Sequence, residues 1–115
     1  MWFKAPDESI WIGMVRLSVR IPGSRSLKDK RRVVNQMRDR LKKRHGFSVA
    51  EVGHLQDKSR AIMTVVMVSN DAKNIQSALD SATFQLEQWS EAIIENRSME
   101  IFRPVEDKDD TLGFF

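Results

Sequence analysis

The densest chemistry in this sequence lies in one run, IPGSRSLKDKRRVVNQMRDRLKKRHGF. Between Arg25 and Arg44 stand ten lysines and arginines against two acids, Asp29 and Asp39, a local net charge of +8. The whole 115-residue chain carries only +3, so everything outside that run sums to −5. Positive charge is concentrated, and a concentrated cationic block is the electrostatic footprint of a surface that meets a polyanion.

The block opens with a Gly-Ser turn that leads into a helix start, where free backbone N–H groups attract anions. Arg25 in the turn, Ser26 at the cap and Lys28 in the first turn are placed to meet a phosphate. On a wheel centred on Val34, Lys30 falls towards the apolar side, whereas Lys28, Arg32 and Lys43 lie opposite. Arg31, Arg38 and Lys42 form a flank at helical spacing, with Asn35 as a neutral donor between them. The nucleic-acid-binding candidates are therefore Arg25, Ser26, Lys28, Lys30, Arg31, Arg32, Asn35, Arg38, Lys42 and Lys43. The plainer alternative is a solvated helix face, with Lys30 snorkelling past the core. His54 and Arg60, around a hairpin, are secondary candidates.

Other chemistry finds little support. There is no cysteine and there are two histidines, so neither a thiolate nor a zinc site is expected, and no metal or cofactor is assigned. The carboxylates are dispersed without a pair spaced for acid–base work, and the chain is expected not to be an enzyme. A phosphate-processing hydrolase is the third reading, from an arginine-bearing loop after the first strand. Against it, the G-x-V-Q-G-V-type loop of acylphosphatases is absent and the second strand has no Asn. An RNA-recognition motif would stack bases on sheet aromatics, but this chain has no Tyr and its third strand reads AIMTVVMVS. Phosphate and shape recognition through the helix is the mode that fits.

The elements that position the block follow from periodicity. Ile10 to Ile21 alternates, with Val15, Leu17, Val19 and Ile21 on one side, and Pro22-Gly23 ends it, as in a half-buried strand. Ser26, with Asp29 three residues on, starts a helix whose apolar positions are Leu27, Val33, Val34, Met37 and Leu41 and whose stop is Gly46. FSVAEVGH and AIMTVVMVS read as a hairpin, a second helix runs from the Ser69-Asn70-Asp71 cluster to about Trp89, and AIIENRSMEIF is the last strand. This β-α-β-β-α-β order is that of an α+β, ferredoxin-like fold, a four-stranded antiparallel sheet with two helices on one face. Residues 1–9 form an extension, 10–102 the domain and 103–115 an acidic tail.

The third strand carries apolar residues on both faces, Ile62, Val66 and Val68 against Met63, Val65 and Met67. The sheet face away from the helices should then be covered as well, by a second copy or by a terminal segment bearing Trp2, Phe3, Phe114 or Phe115. No apolar leader opens the chain and its longest apolar run is too short to span a bilayer, so a cytoplasmic protein without membrane contact is expected.

The stretches IPGSRSLKDKRRVV, FSVAEVGH and SRAIMTVVMVSND, within Gly13 to Phe102, resemble the bacterial YlxP-like family of uncharacterised small proteins. That resemblance implies the ferredoxin-like fold and, through the family's genes lying among those for ribosome maturation and translation initiation, a role near RNA or the ribosome. The family's hairpin pattern H-Q-D-L-W-Q-R-A reads HLQDKSRA here, without the Trp. The expected function is a non-catalytic RNA- or ribosome-associated binding protein. The alternative is a protein–protein adaptor or self-associating module whose basic helix docks an acidic partner.

Overall fold

A computed structural model describes residues 3–104, apart from the side chains of Arg44 and His45. The elements are β1 (Trp11–Arg20), α1 (Leu27–His45), β2 (Ser48–Gly53), β3 (Arg60–Ser69), α2 (Ala72–Glu87) and β4 (Ile93–Phe102). They form one antiparallel sheet of order β2-β3-β1-β4, in the βαββαβ, ferredoxin-like arrangement expected from the sequence. Boundaries differ from the sequence reading by one or two residues: β1 starts at Trp11 rather than Ile10, and α2 ends at Glu87.

Each helix starts where its sequence supplies an oxygen for the first free N–H groups. Ser26 is extended (φ −152°), and its Oγ accepts the Asp29 N–H at 3.0 Å. Asp71 does the same for α2, accepting the Lys73 N–H at 2.9 Å. α1 stops at Gly46, whose φ of 66° lies in the left-handed region that favours glycine.

The core is one layer between the sheet and the helices. β1 contributes Val15, Leu17 and Val19, β3 contributes Ala61, Met63 and Val65, and the helices contribute Val34, Met37, Ile75 and Leu79, all essentially buried. α1 packs over β2, and α2 over β1 and β4. The closest approach is at Gly13, where an added Cβ would sit 2.0 Å from Ile75 Cγ2 and 3.0 Å from Leu79 Cδ1. Glycine is required there by contact with α2, not by a turn.

The other sheet face carries Ile12, Met14, Arg16, Ser18 and Arg20 of β1 beside Ile62, Thr64, Val66 and Val68 of β3. Ile62 is buried on this face, and Val68 is 65% exposed. Phe3 does not cover the face: it is 86% exposed. Trp2, Phe114 and Phe115 lie outside the described residues. Among the described residues, no helix is long and apolar enough to cross a membrane.

Substituting Gly13→Ala forces overlap with the β-branched Ile75, whose χ1 is stiff, and should cost about 1–3 kcal/mol. Urea unfolding of the variant against the parent checks this; equal midpoints would mean that α2 can lift away from β1 freely.

Candidate nucleic-acid interface

The cations of α1 divide into two groups that the sequence does not distinguish. Lys30 is a correction to the expected binding set. It is 3% exposed, and its Nζ donates to the carbonyl oxygens of His54 (2.8 Å), Arg60 (3.1 Å) and Leu55 (3.4 Å). Its ammonium also lies 3.0 Å from Glu51 Oε2. Three carbonyls take the three N–H directions, so Glu51 supplies charge compensation rather than a further directed hydrogen bond. No phosphate can reach that nitrogen. Lys30 instead fastens α1 to the β2–β3 hairpin.

The hairpin is shaped for this. His54 adopts φ 56°, uncommon for a side chain of its size, and turns its carbonyl towards Lys30 while its ring stays exposed. Glu51 and His54, three apart and on opposite faces of an ideal strand, thus meet one ammonium through a side chain and a main-chain oxygen. Asp57 holds the return of the loop, accepting the Ser59 and Arg60 N–H groups at 2.8 and 3.1 Å. These bonds, the Ser59 N–H first, hold its carboxyl below the usual carboxylate range.

The helix start is also less open to a ligand than its sequence suggests. The Ser26 hydroxyl is committed to the Asp29 N–H, and Asp29 Oδ2 accepts the Arg25 N–H at 3.0 Å. A carboxylate therefore stands beside the helix start, bound to the turn that precedes it. The adjoining cleft, of about 240 Å³ between Pro22–Ser24 and Ser90–Glu91, is lined by Asp29 and Glu91 with Arg32 between them. Arg32 Nη1 lies 3.6 Å from Glu91 Oε1. Ser26 is thus a structural cap, and Arg32 is partly compensated.

The remaining cations face solvent. Lys28, Arg31, Lys42 and Lys43 are exposed, and no carboxylate lies within ion-pair distance of them among the described residues. Arg38 is half-buried, with Nη1 3.4 Å from Asn35 Oδ1 and a buried Nε that finds no partner. Arg40, not among the expected contacts, lies over the Trp89 ring at 4.6 Å and bridges α1 to the end of α2. Since Arg40 marks the side of α1 towards α2, Arg31, Arg38 and Lys42 lie on the far flank, above the free edge of β2.

The structure adds cations that the linear block omits. Ile21 N–H donates to Ser59 O at 2.7 Å and Ser24 Oγ donates to Lys58 O, so the turn holding Arg25 lies against the hairpin carrying Lys58 and Arg60. Arg60 is exposed and opposite Arg20 in the β1–β3 ladder, where Arg20 is paired with Glu95 at 2.8 Å. Lys58 gave no separate signal in sequence because it lies outside the charge run. Among the described residues, no group of three or more His, Asp or Glu could hold a metal ion.

Residues 12–99 match the family model described as a protein of unknown function, DUF503. The chain belongs to that family. No curated protein matches the sequence. Among solved structures, the de novo designed protein Foldit4 is similar at 10% identity, over 86% of this chain and 100% of the design, with a TM-score of 0.47, too low to support any argument.

Exchanging Lys30→Met leaves three carbonyls and Glu51 without their cation and should lower stability by about 3–5 kcal/mol. Chemical denaturation reads this directly, and a loss under about 1 kcal/mol would remove Lys30 as the fastening of the hairpin. Because the Asp57 carboxyl is depressed in the folded state, its contribution is full above the ordinary aspartate pKa of ~3.9 and fades as pH falls through the lower native value. Asp57→Asn should therefore flatten the acid limb of the stability–pH curve below about pH 4; an unchanged limb would contradict the assignment.

Proposed function

We propose that this DUF503 protein binds RNA, without catalysis, through the solvent face of α1. The observation that carries the reading is the row of cations along that helix with no carboxylate at ion-pair distance among the described residues. Lys28, Arg31, Asn35, Arg38 and Lys42 run down one flank over about 21 Å at 1.5 Å rise per residue, and Arg25, Lys58 and Arg60 extend the surface around its N-terminal end. Such a strip tracks a phosphate backbone and reads shape more than sequence. The two central strands carry no aromatic ring on the open face, so base stacking on the sheet does not enter the proposal. The resemblance to the YlxP-like family, with its genes near those for ribosome maturation, supports RNA or the ribosome as the partner.

The test is binding of the full chain to a labelled structured RNA across a salt series. Four phosphate contacts give a log–log slope of about −3, roughly 50-fold weakening between 50 and 200 mM salt. The triple reversal Lys28→Glu, Arg31→Glu and Lys42→Glu should abolish binding with the circular-dichroism spectrum unchanged, since among the described residues these side chains have no carboxylate partners to lose. Unaltered binding by that variant, or none by the parent at low salt, would overturn the proposal; the second result would favour an acidic protein as the partner of the helix.

A further inference from the structure

The flank of α1 is patterned as two pairs of cations with an amide between them. At 1.5 Å rise per residue, the pair Lys28 and Arg31 and the pair Arg38 and Lys42 are centred about 16 Å apart, and Asn35 stands about midway. At 3.6 residues per turn the five positions share an arc of about 80°. Asn35 is exposed, and Arg38 Nη1 lies 3.4 Å from its Oδ1. The guanidinium therefore takes the amide oxygen, which leaves the Asn35 NH2 group to donate to a ligand.

This pattern discriminates between forms of nucleic acid. Surfaces that hold single strands stack successive bases on aromatic rings. Here no Phe, Tyr or Trp occurs between Pro22 and Gly46 or between Ser48 and Arg60, the stretches that carry the basic surface. Phe47, between those stretches, is buried, and Trp89 lies under Arg40 on the α2 side. B-form DNA fits poorly as well. Its minor groove, about 6 Å wide, is narrower than a helix of about 10–12 Å. Its major groove, about 8.5 Å deep, takes a helix that stands clear of its domain, whereas α1 packs along β2 and Arg38 on this flank is half-buried. A-form RNA instead offers a wide, shallow minor groove with a backbone on either side and 2′-hydroxyls between.

We propose that the RNA met by this surface is an A-form duplex, contacted across its minor groove. Lys28 and Arg31 meet phosphates of one strand and Arg38 and Lys42 those of the other, while the Asn35 NH2 group donates to a ribose 2′-hydroxyl between them. Arg25, Lys58 and Arg60, around the start of α1, extend the contact beyond the first pair. The inference rests on the reading of α1 as an RNA surface and adds which RNA it takes and which residue tells it from DNA.

The test is fluorescence anisotropy of the full chain at low salt with three labelled probes. These are an RNA duplex of about 16 base pairs, the DNA duplex of the same sequence, and an oligouridine strand of equal length. The RNA duplex should bind about tenfold more tightly than either of the others. Asn35→Ala, at an exposed position of a helix that alanine favours, should weaken the RNA duplex about fivefold, the worth of one hydrogen bond, and leave the DNA duplex unchanged. Oligouridine or DNA bound as tightly as the RNA duplex would overturn the proposal while α1 remained a nucleic-acid surface. Equal effects of Asn35→Ala on both duplexes would also overturn it. Binding of none of the probes would overturn the RNA reading itself, and this inference with it.

Discussion

One buried ammonium connects the halves of this fold. The Lys30 Nζ group takes three carbonyl oxygens from the β2–β3 hairpin, His54, Leu55 and Arg60, and stands against Glu51, while its backbone belongs to the first turn of α1. A buried cation is tolerated only when its donors are all matched and its charge is balanced. Meeting both conditions fixes where the hairpin turns, which way its carbonyls face and how far α1 lies from β2. The left-handed His54 and the Asp57 loop bonds are the local shape that this demand selects.

That constraint also organises the surface. With the hairpin held against α1, the turn bearing Arg25 and the loop bearing Lys58 and Arg60 become neighbours, although more than thirty residues separate them in sequence. The basic surface therefore bends around the start of α1. Compensation is uneven across it. Glu51 and Glu91 serve the inner and α2-facing cations, whereas the far flank, above the free edge of β2, has none within ion-pair distance among the described residues. An uneven distribution of this kind, rather than net charge, makes the flank the candidate interface.

The fold was legible because each element is locally self-consistent. The alternation of β1, the Ser26 cap and the Gly46 stop all point to one structure, and the strand order follows from chain connectivity. The site was legible only as a block. The helical wheel put Lys30 towards the apolar side, but the three carbonyls that occupy it lie 24 to 30 residues away, in a loop whose conformation no periodicity records. Asp29 was readable as a capping residue, but not as the acceptor that ties down the Arg25 main chain before the cap. Arg40 lay in the charge run, yet its Trp89 partner depends on how α2 ends.

The most direct test of the account is an amide NMR titration of the protein with a structured RNA. The division of cations predicts shifts concentrated at Lys28, Arg31, Asn35 and Lys42, extending to Lys58 and Arg60, with Ile12–Ser18 and Ile62–Val66 of the open sheet face unmoved. Shifts concentrated on that sheet face, or none anywhere, would contradict it.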